Sequence, residues 1–526
     1  MTSSDQSRPS ESTLSDAELG YASTSPERVH GPHALAHHTL SRSSTMYSTQ
    51  STLRHFNLSR GTTISRAERN RLFLQRLRGK GKRKVGWLES GKNALFCSWL
   101  NIFLPAIPFA WAAHFYRDTF SPQVTFALCF IGIMPLQAMF DWGGEQMAIY
   151  LGKTLGDLLM ITLNNVVEVA LAVILLIHCE LRLLQSTIIG VIILHLLLVP
   201  GTAFLANGVR IWEQTLHPQS TELNHSLLSI GVLAIMLPTV FFAALDRGIT
   251  LGTDSQGHWE DSALISDDTR SDLLQMSRGF AFMLGIVYIG SRVYLAMPVD
   301  DDTGTIAVHP DVPDEIKEEE EELRELEPEC NPLACLIVLV VCVGLASVTA
   351  EWLVTSIQSV KESGHIREEW FGLILLPFIS FSAEGMVTIV FFVQSLVMHC
   401  MGKKVMVPSI LAHGRAIDLA IQFILWWTPV ILLLGWALNK PVTLLFDFYE
   451  MALLIGACFL VNCITADAKT NWVEGLILLT YYIMIAISSW FYVGQPELKL
   501  MLFCPASIAD SLAAATHKGA AALALD

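Results

Sequence analysis

The sequence predicts an α-helical integral membrane protein with about eleven transmembrane helices. Hydrophobic residues make up 52% of the 526 residues and charged residues only 16%, whereas soluble proteins carry about 25% charged residues. A helix that crosses a bilayer needs about 20 mainly apolar residues, and eleven such stretches follow the polar N-terminal region. They lie near residues 94–116, 123–143, 155–179, 184–206, 226–245, 279–297, 333–357, 371–400, 407–438, 443–466 and 472–493.

The N-terminal region is polar, and we expect no cleaved signal peptide in it. Residues 1–60 are rich in Ser, Thr, His and Pro, a composition typical of disorder. In residues 61–84, Ser65 to Glu68 fits a capping box, and leucines among arginines predict a short basic amphipathic helix. Docking to an anionic lipid surface and an ordinary positive-inside flank both account for it. Either one places this end in the cytosol.

The predicted spans divide the chain into six segments. These are a disordered basic cytosolic tail (1–93), a leading transmembrane helix (94–122), a first repeat of five helices (123–299), an acidic cytosolic loop (300–332), a second repeat of five helices (333–493) and a C-terminal tail (494–526). Between Asp300 and Glu329 the loop has fourteen acidic and two basic residues. It is either a solvated charge run or a cation-attracting element beside a pore mouth.

The two predicted repeats carry acidic residues in the same order. Glu145 ends one helix and Glu168 lies inside the next, as Glu351 and Glu384 do in the second half. Five spans per repeat force the two copies into opposite orientations in the bilayer. Inverted repeats of this kind build midplane ion sites in secondary transporters.

Glu168 and Glu384 are the predicted cation and proton ligands. An ionisable side chain inside a bilayer is costly and marks a functional site by default. Two facing carboxylates repel unless they are protonated or bind a hard cation such as Ca²⁺, so Ca²⁺ and protons exclude each other and can be exchanged. A pair of protonated structural glutamates is the alternative.

Two amides could complete this site. Asn165 lies three residues before Glu168 and therefore shares its helix face, and Gln422 could add an oxygen from another helix. For both residues the alternative is a satisfied interhelical hydrogen bond.

The chain from about Ile102 to Tyr492 resembles the cation/proton exchangers of the Ca²⁺/cation antiporter superfamily, in particular the fungal vacuolar Ca²⁺/H⁺ exchangers. The matching stretches are Leu151 to Gly156, Asn165 to Glu168, Ala350 to Val354, Phe371 to Pro377 and Thr428 to Trp436. The resemblance implies a sodium/calcium exchanger-like fold of one leading helix and two inverted five-helix repeats. It also implies Ca²⁺/H⁺ antiport across a vacuolar or other endomembrane, with gating helices that carry Glu145 and Glu351.

The predicted site departs from the family pattern. Asn164 replaces a glycine, Phe381 an asparagine, Gly385 a histidine, His195 an asparagine and Asp418 a glycine. Phe381 cannot coordinate a hard cation, although its neighbours Ser380 and Ser382 could. His195 could carry a proton or be a satisfied core histidine. Asp418 could supply a third carboxylate or pair with Arg415.

Several other functions remain open. The altered site could select Na⁺, K⁺ or another divalent metal for exchange with protons, and a non-transporting regulatory paralogue is a further alternative. An intramembrane aspartyl protease using Asp157 and Asp418 has little support. We expect no enzyme, because no HExxH, GxSxG or phosphate-binding loop is present.

The partners and cofactors follow from the same observations. We expect membrane lipid as the surroundings, Ca²⁺ and H⁺ as substrates, no cofactor, and no nucleic acid, since the pI is near 5.5. The ten cysteines form no CxxC pair or Cys/His cluster, so neither a disulfide framework nor a zinc site is predicted.

Overall fold

The computed structural model describes residues 66–79, 82–116, 118–208, 214–216, 218–245, 266–296, 326–401 and 415–504, and these ranges are almost entirely helical. The helices are α1 (Arg66–Leu77), α2 (Trp87–Leu95), α3 (Ala106–Phe115), α4 (Pro122–Leu151), α5 (Lys153–Asn164), α6 (Val166–His178), α7 (Leu181–Ile193), α8 (Val199–Gly208), α9 (Pro218–Leu245), α10 (Asp267–Ala296), α11 (Pro332–Gly364), α12 (Glu368–Trp370), α13 (Leu376–Cys400), α14 (Arg415–Gln422), α15 (Thr428–Ala437), α16 (Phe448–Ile464), α17 (Trp472–Phe491) and α18 (Pro496–Met501). Strands β1 (Gln214–Thr215) and β2 (Lys469–Thr470) pair antiparallel.

The helices account for the predicted spans. Over the described residues, eight helices are long and apolar enough to cross a bilayer, and two bent pairs raise the number to ten. The shorter apolar helix α16 adds an eleventh candidate. Each of these units coincides with one predicted stretch. The predicted tail over 1–60, Ser65 of the capping box, and the acidic loop through residue 325 lie outside the described residues.

The leading span is not the single helix that we predicted for 94–122. Helix α2 and the segment Trp99–Phe115 meet at 82°. Asn101 holds the corner by donating to the carbonyls of Ala94 and Leu95. The bent pair nevertheless traverses the bundle, because Asn93 bonds the carbonyl of Glu329 while the end of α3 stacks on Trp352, about 30 Å further along α11.

The basic segment before α2 is folded, so the predicted disordered tail (1–93) extends too far. Helix α1 forms where the amphipathic helix was expected. Arg76 donates to the carbonyl of Ile149, and Lys82 to that of Leu326 at 2.7 Å. Desolvation, followed by the nearby Arg76 charge, lowers the pKa of Lys82. These contacts place the basic segment at one end of the bundle, here called the basic end; the other is the distal end.

The long helices α4 and α11 form an antiparallel central pair. The Tyr150 hydroxyl donates to the carbonyl of Cys330 at 2.7 Å, and the Cys335 thiol to that of Gly143. Gly143 permits this approach, since a Cβ there would lie 2.6 Å from Leu339. Because α4 opens the first repeat and α11 the second, their opposed directions are those that inverted repeats require.

In the part of the chain that the structure describes, three spans contain a π-helical turn, and each turn ends two residues before a proline. The turns are Leu194–Leu198, Phe371–Leu375 and Phe423–Trp427, and the prolines are Pro200, Pro377 and Pro429. Proline lacks an N–H, and its ring clashes with the carbonyl four residues earlier. A widened turn relieves that clash without ending the helix.

A disulfide joins Cys179 to Cys504 at the distal end, and their Cα atoms lie 6.3 Å apart. The sequence predicted no disulfide framework, and this single bond was not expected. The pairing could not be predicted because 325 residues separate the two positions. The bond attaches the chain after α18 to the end of α6, so the segment after residue 493 packs on the bundle as far as Cys504.

Candidate functional site

The candidate site lies at a break between α5 and α6, where one continuous span was predicted. Asn165 ends α5 and begins α6, with φ −90° and ψ 0°, and the two helices bend by 48°. Discontinuous membrane helices present their half-helix ends to substrates in transporters. Glu168 lies in the first turn of α6, where the positive end of the helix dipole favours a carboxylate.

Glu168 is 2% exposed and faces residues of both repeats. The Ser380 hydroxyl and the Glu384 carboxylate, both on α13, interact with it electrostatically. The imidazole Nε2 of His195 lies 4.0 Å from its Oε1. The structure therefore places Ser380 and His195 around Glu168, with Glu384 within electrostatic range of it.

Gln422 is a hydrogen-bonding hub rather than an open ligand. Its Oε1 accepts from Asn165 Nδ2 at 2.9 Å and from Trp427 Nε1 at 3.2 Å, and its Nε2 donates to Thr162 and to Tyr288 at 3.0 Å each. This is the interhelical bond given as the alternative. Gln422, on α14, therefore positions the Asn165 side chain, and it also links α14 to α5 through Thr162 and to α10 through Tyr288.

The site is rich in acceptor oxygens that no donor satisfies. Among the described residues, the buried side-chain oxygens without a hydrogen-bond partner include Glu168 Oε2, Asn164 Oδ1, Asn165 Oδ1 and Gln137 Oε1. A buried acceptor left unsatisfied costs about 1–3 kcal/mol. Carboxylate and amide oxygens are the ligands that hard cations prefer, so a cation or protons would relieve this cost.

Phe381 and Gly385 are a matched pair of replacements on α13. The Phe381 ring packs at 5.8 Å from that of Phe378, and a Cβ on Gly385 would lie 2.7 Å from its edge. The loss of a side chain at 385 therefore makes room for the ring along its own helix. The neighbouring Ser382 hydroxyl donates to the carbonyl of Ile379 at 2.5 Å.

Asp418 lies one helical turn from Gln422 and faces a residue that we did not predict. Arg292 on α10 approaches it at 4.0 Å, with the two side chains 18% and 27% exposed. The Arg292 guanidinium also lies 4.8 Å over the Tyr288 ring. The side chain of Arg415, its predicted partner, lies outside the described residues.

The two carboxylates predicted on the gating helices lie away from Glu168. Glu351 pairs with His178 at 2.8 Å, at the distal end of α6 and about 15 Å along that helix from Glu168. Glu145 is half-buried near the basic end of α4. They therefore lie at different depths along the central helix pair, and Glu351 lies inside α11 rather than at its end.

The sequence prediction missed several residues around the site. They are Gln137, Thr162, Tyr288, Arg292 and Trp427. Arg292 could have been found, because an arginine inside a predicted span is a functional hypothesis by default. Within the described ranges, no group of three or more His, Cys, Asp or Glu side chains is arranged to hold a metal. The site is built mainly from two carboxylates and neutral oxygens.

The chain is similar to known ion exchangers. It is 31% identical to a vacuolar calcium ion transporter from Cryptococcus neoformans var. grubii, over 80% of this chain and 78% of that protein. It is 29% identical to a Ca²⁺/H⁺ antiporter from Synechocystis, over 74% of this chain and 96% of that protein. The crystal structure of the Ca²⁺/H⁺ antiporter protein YfkE shares the fold, with a TM-score of 0.52 and 18% identity, over 75% of this chain and all of that one.

The family model matches the two repeats and omits the acidic loop between them. It covers residues 122–297 and 334–491, which nearly coincide with the predicted repeats. The inverted arrangement and the site at their meeting point agree with this match. The chain is a member of the sodium/calcium exchanger protein family.

Proposed function

We propose that the protein is a Ca²⁺/H⁺ antiporter that moves cytosolic Ca²⁺ into an acidic organelle, such as the vacuole, using the proton gradient. The observation that carries the proposal is the buried Glu168 carboxylate, which faces Glu384 from the opposite repeat among acceptor oxygens without donors. Relatives named as vacuolar calcium transporters and Ca²⁺/H⁺ antiporters support the same ions.

The exchange follows from charge neutralisation. Ca²⁺ neutralises the Glu168 and Glu384 carboxylates together, with Asn165 and Ser380 as neutral oxygen ligands. Protonation of the two carboxylates neutralises them equally well and removes the attraction for Ca²⁺. The transported ions are the substrates, and this scheme uses no further cofactor.

The test is Ca²⁺ uptake into vesicles that contain the purified full-length protein and have an acidic interior. We expect Glu168→Gln and Glu384→Gln each to reduce uptake to the level of protein-free vesicles, because Gln neither binds a proton nor carries charge. Glu362→Gln, at an exposed carboxylate on α11, is the matched control and should retain uptake. Full uptake by either site variant would refute the mechanism.

Ion competition in the same vesicles decides the selectivity. His195 places a nitrogen near the Glu168 carboxylate, and nitrogen ligands suit transition metals better than Ca²⁺. Proton exchange driven by Na⁺, K⁺ or a transition metal and insensitive to Ca²⁺ would assign a different ion. A protein that neither binds nor moves any cation would be the non-transporting paralogue.

A further inference from the structure

A second cluster of buried charges lies at the distal end, apart from the Glu168 site. Arg182 at the start of α7 is buried among the carboxylates of Glu369, Asp447 and Glu450, which are also buried. Its Nη2 lies 3.0 Å from Asp447 and 3.3 Å from Glu450, and its Nε lies 3.8 Å from Glu369. One guanidinium is therefore the shared cationic partner of three carboxylates.

The charges around this cluster do not balance. Lys499 on α18 approaches Glu369 at 3.6 Å and compensates one carboxylate. Glu368, just outside, is paired with Lys361 at 3.8 Å and adds no net charge. One buried negative charge remains, and a buried charge without a partner is neutralised rather than tolerated. The groups that face Glu450 are Arg182, Ser186, Glu369, Asp447, Tyr449 and Tyr492.

A metal ion does not supply the missing charge. Within the described residues these carboxylates are not arranged to hold a metal. The guanidinium of Arg182 already occupies the space between them and would repel a second cation. A proton is the neutralising species that fits.

The proton belongs on Glu450 rather than on Asp447. Asp447 accepts hydrogen bonds from Arg182 and Tyr492 and from the backbone N–H groups of Tyr449 and Gln495. These four hydrogen bonds stabilise its ionised form. Burial, together with the neighbouring Asp447 carboxylate, raises the pKa of Tyr492, which keeps that phenol a neutral donor.

Glu450 is much less well provided with donors. Its Oε1 accepts from Ser186 Oγ at 2.5 Å and from Arg182 Nη2 at 3.3 Å, but its buried Oε2 has no hydrogen-bond partner among the described residues. Glu369 Oε1 also lacks a hydrogen-bond partner, but Lys499, which is half exposed and in reach of water, lies 3.6 Å from that atom and balances its charge. Glu450 has no cation of its own, since it shares Arg182 with Asp447. Glu450 is therefore the carboxylate that gains most from a proton.

We propose that Glu450 is a proton-binding site at the distal end of the protein, separate from the Glu168 site, and that it exchanges its proton with the compartment facing this end. Binding converts the carboxylate to a carboxylic acid and brings the cluster to neutrality. That this compartment is an acidic organelle rests on the proposed function; the binding of the proton does not.

Infrared difference spectroscopy of the full-length protein in lipid vesicles tests the proposal. Spectra recorded at acidic and at alkaline pH, in water and in heavy water, report the C=O stretch of protonated carboxyl groups. We expect one such band to be lost in Glu450→Gln and to persist in Glu168→Gln and in Glu362→Gln, the exposed control. A spectrum of Glu450→Gln that matches the wild type overturns the proposal.

A milder variant covers the case in which Glu450→Gln does not fold. Ser186→Ala removes the hydroxyl beside Glu450 Oε1 and should move the band without abolishing it, whereas an unmoved band overturns the assignment. The result is independent of transport. If the band behaves as expected and no Ca²⁺/H⁺ exchange occurs, only the proposed function fails; if exchange occurs and no band depends on Glu450, only this inference fails.

Discussion

Asp418 and Arg292 form a pair of opposite charges one helical turn from the hub residue Gln422. The pair lies toward the basic end of α14 and α10, where a cation from the cytosol would enter under the proposed function. An extra carboxylate alone would strengthen cation binding, and an extra arginine alone would oppose it. Together they leave the charge near the site unchanged.

We predict opposite effects for the two single variants of this pair. Asp418→Ser leaves the Arg292 guanidinium uncompensated and should raise the KM for Ca²⁺, whereas Arg292→Gln removes a positive charge near the site and should lower it. At this partial exposure a coupling of about 1 kcal/mol, or about fivefold in KM, is expected. Vesicle uptake at graded Ca²⁺ concentrations measures both.

The double variant decides whether the two charges act together. A KM near the wild-type value in Asp418→Ser/Arg292→Gln supports the pair, and a KM that stays shifted contradicts it. Arg278→Gln is the control, since Arg278 lies on the same helix but stacks on Trp436 at 4.8 Å. It should leave the KM unchanged.

The sequence alone could identify those site residues whose polarity differs from that of the apolar helix around them. Glu168 was predictable because a carboxylate inside an apolar membrane helix is costly and therefore marks a functional site. Tyr288 and Thr162 were not, because each is an ordinary residue of its own helix. They matter only because Gln422, from another span, donates to both.

At the scale of helices, the close approach of α7 to the turn Phe371–Leu375 joins the two repeats beside the site. A Cβ on Gly190 would lie 2.8 Å from the Leu373 carbonyl carbon, and one on Gly372 would lie 2.7 Å from Ser186. Small residues allow membrane helices to pack with their backbones close together.

We predict that Gly190→Ala destabilises the protein by about 1–3 kcal/mol, because the added methyl meets backbone that cannot move aside. Gly285→Ala on α10 is the control, since nothing lies within 4 Å of a Cβ there. Thermal unfolding of the two purified variants should give a lower Tm for Gly190→Ala alone. Equal Tm values would contradict the prediction, because they would mean that α7 and the turn Phe371–Leu375 can move apart without a loss of stability.

Hydropathy located every span but did not reveal the breaks within them. The stretch 155–179 is mainly apolar, with few polar residues between Leu158 and Ile177, so its hydropathy predicts one helix. The bend at Asn165 arises from hydrogen bonds to Leu419 and Gln422, 254 and 257 residues away. A hydropathy pattern carries no information about such partners.

At the scale of the whole molecule, the C-terminal segment closes the distal end. Tyr492 bonds Asp447 at 2.6 Å, Arg270 donates to the carbonyl of Phe503 at 2.7 Å, and Cys504 joins Cys179. The segment therefore ties the charge cluster around Arg182 to the end of α6, the helix that carries Glu168.

The Cys179–Cys504 bond gives a test of both this closure and the membrane orientation. Disulfides persist in oxidising compartments and not in the cytosol, so the distal end must face the organelle interior if the bond forms in cells. Protein isolated from its native membrane with free thiols blocked should yield a peptide pair joined through Cys179 and Cys504.

Cys504→Ser should lose that pair and, because the bond restrains the unfolded chain, lower the stability by about 2–4 kcal/mol. Cys463→Ser, at an exposed free thiol, should change neither. Two blocked thiols at 179 and 504 would contradict the pairing and remove this support for the orientation.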